Sequence, residues 1–382
     1  MKLRNSQDKL IIFIYSFFTS LGYSLMLYSI KNFGYMDIYY SYFLALMNMG
    51  ILFASLFYGY VEINEKNYIS YNFIGIIAIL ISFFFLYYAE NLFYLLLSVF
   101  FMYFIGSSVS FILIRFRKDV RLYYYFTLYS LFGFFVAQIF LLSNLDFKNI
   151  VVLSFITAFV FFIFTFSFYL KKVFKTVFRY FLEEYGLLAT TEKILMKMED
   201  NLFKFVGKPS RISLINFVTV VLYTIYWTVL LTVSAQYNKY FPIFLFLNNL
   251  SLTITYNILP KNEKIKEIFF KSLYGIVLRF IGVISLLLIL EKGIYNLLIL
   301  FLFYILAAVS WGIFSFYMDD YILKKKESEY GFVSFFRNFA SVSGSIFVGV
   351  IGIKYSLLFS IFLFFLILVL YLFLEKIYNG DN

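Results

Sequence analysis

The sequence predicts an all-α polytopic membrane protein, with twelve transmembrane helices arranged as two six-helix bundles. Three observations predict it. The 382 residues are 63% hydrophobic, with a mean hydropathy of +0.87, whereas a soluble domain is about 45–50% apolar. The apolar residues fall in twelve long runs, each near the ~20 residues a helix needs to cross ~30 Å of hydrocarbon. The loops joining them alternate between basic and weakly charged.

Taken in order, the first run, 10–30, follows Met1-Lys2-Leu3-Arg4 and has the outline of a signal peptide. Its apolar stretch is long and no small-residue cleavage site follows, so it is read as the first span. Runs 38–60, 69–89, 91–114, 123–143 and 149–170 complete an N-terminal bundle over 1–170. A polar interval, 171–211, runs from Lys171-Lys172 to Lys208-Pro209-Ser210-Arg211. Inside it Thr190 or Thr191 offers a helix cap. Ile194, Leu195, Met198, Leu202 and Phe205 then follow at helical spacing, which predicts a cytoplasmic linker with an amphipathic helix. Runs 212–234, 241–259, 270–290, 294–317, 331–352 and 355–374 form a C-terminal bundle over 212–382. The three prolines, Pro209, Pro242 and Pro260, lie at run edges, where a missing N–H does least harm. Membrane strands would alternate apolar and polar residues over about ten positions, and these runs do not.

The net charge is +11. With the N-terminus inside, 25 of the 32 Lys and Arg lie on the cytoplasmic side, five lie opposite, and Arg279 and Arg337 fall within runs. That asymmetry is the positive-inside rule. It predicts a multi-pass protein of the cell membrane with both termini cytoplasmic, whose partner is the lipid bilayer and not nucleic acid. There is no cysteine and no histidine, which removes disulfides, thiol nucleophiles, imidazole bases and histidine-ligated metals. No cofactor is expected. The adjacent acids Asp319-Asp320 have no third carboxylate after them, so a metal-diphosphate transferase is not expected either, and the chain is read as no enzyme.

Three further features suggest internal duplication. The halves have equal span counts and similar loop lengths. Asn64-Glu65-Lys66 after the second run also matches Asn262-Glu263-Lys264 after the eighth. A pseudo-two-fold axis along the membrane normal follows.

Around the tenth and eleventh runs stand Trp311-Gly312, Tyr317, Asp319-Asp320, three lysines, Gly331, Asn338, Gly344 and Gly349. With six spans, a basic linker and six spans, this resembles the major facilitator superfamily (MFS) of secondary transporters. After the second run only Gly59, Glu62 and Lys66 stand where that family has a glycine, an aspartate and several basic residues. The family's span-four arginine and its glycine-proline motif in span five are absent, so no subfamily follows. The resemblance implies a cavity between spans one, four, seven and ten, rocking bundles, and a small-molecule solute carried by a monomer.

On those spans polar and aromatic residues recur in steps of four, hence on one helix face. Span one offers Tyr15, Ser16, Thr19, Ser20, Tyr23 and Ser24; span four Tyr103, Ser107 and Ser110; span seven Asn216, Thr219, Tyr223 and Trp227; span ten Tyr304, Trp311 and Ser315. The expected solute-binding residues are Tyr15, Thr19, Tyr23, Tyr103, Ser107, Asn216, Tyr223, Trp227, Tyr304, Trp311 and Arg337. Small hydroxyl residues also line ordinary membrane-helix contacts, so the sequence leaves cavity and packing open. Asn48, Gln138, Asn248 and Asn249 read as interhelical hydrogen bonds. No Asp or Glu falls deep in a run, which argues against a carboxylate proton relay. Arg279 and Arg337 read either as side chains that snorkel or touch a cytoplasmic loop or as contacts to an anionic group, for which Arg337, followed by Asn338, is the better candidate. The transporter stands against two alternatives, a lipid-linked sugar flippase and a non-transporting membrane receptor or structural subunit.

Overall fold

The computed structural model describes residues 6–30, 33, 36–60, 68–106, 122–143, 145–167, 211–259, 265–293, 296–325 and 330–380. Each predicted run corresponds to one described α-helix, that in 91–114 being described only as far as residue 106. The first half supplies α1 Ser6–Ile30, α2 Met36–Tyr60, α3 Tyr68–Tyr87, α4 Leu92–Phe100, α5 Leu122–Leu142 and α6 Phe147–Ser167. The second half supplies α7 Arg211–Val233, α8 Phe241–Ile258, α9 Ile265–Lys292, α10 Leu297–Lys325, α11 Tyr330–Ile351 and α12 Ile353–Gly380. Among the described residues six helical stretches are long and apolar enough to cross a membrane, one of them (Leu214–Ile258) holding two predicted spans; five further apolar helices are shorter. Helices suit this sequence because a chain in hydrocarbon must satisfy every backbone group internally. Most of the predicted linker, 171–210, and the loop matches 64–66 and 262–264 lie outside the described residues.

Several joints have local causes. Asn91 caps α4, its Oδ1 accepting from the Phe93 N–H at 2.9 Å. Asn296 caps α10 in the same way, accepting from the Leu298 N–H at 2.8 Å. α4 runs on into a π-helical segment, Phe101–Ile105, in which one extra residue per turn re-aims the side chains. α7 reaches α8 through a 3-10 segment, Ser234–Tyr240, kinked at Tyr237, with Pro242 in the first turn of α8. Gly352, at φ 87°, is the one residue between α11 and α12. A side chain there would be strained, which is why glycine ends helices this way.

Contacts at one end of the helices repeat between the halves. Lys148 at the start of α6 pairs with Glu90 before α4 at 3.1 Å. Lys354 at the start of α12 pairs with Glu291 at the end of α9 at 3.2 Å. The Glu90 carboxylate holds the Lys148 ammonium above its ordinary pKa.

Between halves, α2 packs on α11 and α5 on α8. Asn48 Nδ2 donates to Ser345 Oγ at 3.4 Å. Gln138 donates to the Lys239 carbonyl at 3.2 Å and accepts from the Ile243 N–H at 3.1 Å. The Tyr40 and Phe241 rings lie 5.5 Å apart. Asn248 bonds the Tyr304 carbonyl at 3.0 Å. Asn48, Gln138 and Asn248 are therefore interhelical bonds as expected. Asn249 instead bonds Leu245 in its own helix.

Candidate functional site

On α1 the hydroxyl stripe divides. Ser20 and Ser24 donate to carbonyls one turn back, at 2.6 and 3.0 Å. A Cβ added at Gly133 of α5 would collide with Ser20 Oγ and the Phe17 carbonyl. That face is helix packing, since only glycine permits such an approach. The other face carries Tyr15, Thr19 and Tyr23. Thr19 donates to the Tyr15 carbonyl at 2.6 Å, and the Tyr15 ring stands edge-on to Phe126 at 5.8 Å.

Tyr23 meets Tyr103 of the π segment at 6.1 Å, with ring planes at 82°. Gly50 on α2 lets that segment approach, since a Cβ there would lie 3.1 Å from the Phe104 nitrogen. In the second half Trp227 of α7 meets Tyr304 of α10 at 5.5 Å and 81°. The two edge-on pairs occupy corresponding helices and nearly the same geometry. The two pairs approach each other at the centre, where the Trp227 side chain lies beside the Tyr23 hydroxyl. Four of the expected site residues, one each from α1, the π segment after α4, α7 and α10, are thus brought together in two pairs. Ser107 and Ser110 lie outside the described residues.

Tyr304 is fully buried and stacks on Phe244 at 4.9 Å. Tyr223 is also buried. Its hydroxyl donates to the Ser310 carbonyl at 2.9 Å, and its ring meets Trp311 at 5.3 Å. Its polar atom is therefore spent on α10, and its ring forms a wall behind Trp311. Trp227 and Trp311 are half-buried.

The two intramembrane arginines depart from expectation. Arg337 of α11 grips Asp319 of α10 with two bonds, Nη2 to Oδ1 at 2.6 Å and Nη1 to Oδ2 at 3.1 Å. Nη2 also reaches Asn216 Oδ1 on α7 at 3.4 Å. Asp319 is 1% exposed. The predicted tenth run ends at 317, which puts Asp319 just beyond it. The helix instead continues to Lys325 and carries the carboxylate inside, where the bidentate guanidinium compensates it. Tyr256 and Ser315 share a 3.0 Å bond one turn below Asp319.

Arg279 does not snorkel. It is 3% exposed and turned inward. Nη2 donates to the Ala307 carbonyl at 2.7 Å, and the guanidinium carbon lies 4.1 and 4.5 Å from the Tyr223 and Tyr226 ring centres. Gly275 and Gly282 flank it on α9. A Cβ at Gly275 would sit 2.5 Å from the Ser310 carbonyl oxygen, and one at Gly282 3.2 Å from the Tyr226 hydroxyl. The glycines draw α9 onto α10 and α7, which leaves Arg279 no route outward. Sequence spacing held this signal, since Gly275, Arg279 and Gly282 share one helix face. Among the described residues no group of three or more acidic side chains is placed to hold a metal.

No known family model matches the chain, and no curated protein matches it in sequence. Solved structures do. The human organic anion transporter MFSD10 (TETRAN) superposes with a TM-score of 0.62 at 12% identity, over 96% of this chain and 100% of that one. A POT family transporter in complex with 5-aminolevulinic acid gives 0.56 at 15%, over 98% and 97%. A POT family transporter bound to a thioalcohol-conjugated peptide gives 0.58 at 15%, over 97% and 96%. The chain shares its fold with these transporter structures over almost its whole length.

Proposed function

We propose that this protein is a secondary transporter, moving a small organic solute with an apolar body across the cell membrane by alternating access. The observation that carries the proposal is the aromatic quartet Tyr23, Tyr103, Trp227 and Tyr304. It gathers side chains from both halves at the point where a solute held between two rocking bundles must sit. The bundles are 1–170 and 212–382, joined by 171–211, and both termini face the cytoplasm in accord with the basic loops. The Gln138 clamp and the Tyr40–Phe241 contact lie at the ends of α2, α5 and α8 away from the termini. They support a state closed to the outside. Tyr15, Thr19 and Trp311 line the path. Asn216, Tyr223 and Arg337 frame it through their bonds to α10, so Arg337 acts as a strut, not as a direct ligand. The name of one structural neighbour, an organic anion transporter, is consistent with a solute bearing one negative group.

The absence of cysteine allows a direct test. Thr19→Cys is labelled by a membrane-impermeant thiol reagent applied from each side in turn. Labelling from both sides is expected for alternating access. Labelling from neither side would reduce the quartet to helix packing and end the proposal, and labelling from one side only would favour a receptor-like subunit.

A further inference from the structure

The two arginines inside the helices differ in one respect that bears on what the cavity admits. Arg337 is neutralised in place, because Asp319 takes two of its N–H groups. Arg279 has no carboxylate: among the described residues the ion pairs are Lys148–Glu90, Arg337–Asp319 and Lys354–Glu291. Its Nε and Nη1 find no oxygen acceptor and face the Tyr223 and Tyr226 rings. Ring faces stabilise a cation without cancelling its charge. A whole positive charge therefore remains inside the second half, in surroundings where fields are weakly screened.

Its position gives that charge a use. The Tyr223 ring lies directly against the guanidinium, and the Trp311 ring lies against Tyr223. Trp311 is half-buried, the outermost of the three, and lies on the face of α10 turned to α7. We propose, on the footing of the cavity inferred above, that Arg279 acts through Tyr223 to make the region in front of Trp311 selective for anions. The preferred solutes are then organic anions, such as carboxylates on an aromatic or aliphatic body. Arg279 touches no solute. It is a positioning and field-setting residue, held by Gly275, Gly282 and the Ala307 carbonyl.

At roughly 9 Å, two ring contacts away, and an effective dielectric constant near 20, a buried unit charge enriches a monovalent anion on the order of tenfold. The chain's two tryptophans provide the readout. In Trp227→Phe protein, Trp311 is the sole indole. Its fluorescence is quenched in uncharged detergent, at constant ionic strength, by iodide, by neutral acrylamide and by caesium. Iodide is expected to outperform caesium strongly. Arg279→Met is expected to lower the iodide-to-acrylamide ratio severalfold, and Arg279→Lys to keep it, because lysine restores the charge but not the planar fork. A structural role alone would move thermal stability in both variants and leave the ratio unchanged. A folded Arg279→Met protein with an unchanged ratio would overturn the assignment while leaving the cavity intact. Should that variant fail to fold, equal quenching by caesium and iodide with Arg279 in place would overturn it equally well. Failure of acrylamide to reach Trp311 would remove the cavity and the anion preference together.

Discussion

In the first half Glu90 reaches Lys148, Asn91 caps α4, and Tyr23 stands edge-on to Tyr103. In the second half Glu291 reaches Lys354, Asn296 caps α10, and Trp227 stands edge-on to Tyr304, each partner falling 201 to 206 residues later. Caps, helix-end ion pairs and central aromatics repeat. The interiors differ. Where α3 meets α4, Ser82 and Ser98 exchange hydroxyl-to-carbonyl bonds at 2.9 and 2.8 Å. Where α9 meets α10, a guanidinium reaches the Ala307 carbonyl. Among the described residues the charges buried within helices, Arg279 and Asp319, and the part-buried Arg337 that pairs with Asp319, all belong to the second half. A shared scaffold with one neutral and one charged interior suits a carrier in which one bundle supplies shape and the other supplies polarity.

The comparison breaks most severely at its closest helix contacts. Gly275→Val is expected to prevent folding of the second half, because its Cβ would meet the α10 backbone at 2.5 and 2.8 Å, at Ser310 O and Phe314 N. Gly133→Val should do the same to the α1–α5 contact. Loss of the monodisperse peak in detergent size-exclusion checks both, and a normal peak for either would contradict the packing described.

Asp319→Asn strands Arg337 and is expected to cost about 3–5 kcal/mol. The double variant Asp319→Asn/Arg337→Gln should recover most of that loss in thermal unfolding. Additive losses would mean that the two side chains do not act as a pair. No first-half substitution among the serines should approach this size, since Ser82→Ala removes a neutral bond worth about 1 kcal/mol.

Tyr23→Phe removes the hydroxyl beside Trp227 and is expected to lower stability by no more than about 1 kcal/mol. It should also shift the Trp227 emission, which a merely distant tyrosine would not do. The smallest effects belong to the helix-end pairs. Glu90→Gln and Glu291→Gln should shift unfolding only marginally and equally, and the difference should vanish in high salt. Because Glu90 raises the Lys148 pKa, this pair's contribution is present below the ordinary lysine range. It is lost as pH rises through the raised value.

Much of the architecture could be read from the sequence because hydrocarbon enforces it. A run long enough to cross must be helical. Asn48 and Gln138 could be read as interhelical bonds for the same reason. The interior charges could not. Asp319 sits at the end of an apolar run, and its burial depends on Arg337, eighteen residues later and on another helix. Arg279 has the depth of a snorkelling side chain, and only the approach of α7 and α10 over Gly275 and Gly282 turns it inward. The sequence placed Tyr223 and Trp311 on proper faces but could not tell a hydroxyl spent on the Ser310 carbonyl from a free one. Nor does any residue pattern in Phe101–Ile105 announce the π segment that aims Tyr103.

The joint at Gly352 has a mechanical consequence. One residue is too short to give slack between α11, of 22 residues, and α12, of 28. A displacement of the end of α11 is handed on directly to the start of α12. α11 packs against α2 across the boundary between halves, while α12 rests on α7 and α9. Any separation at the α2–α11 seam is thereby transmitted to the helix that holds Arg279.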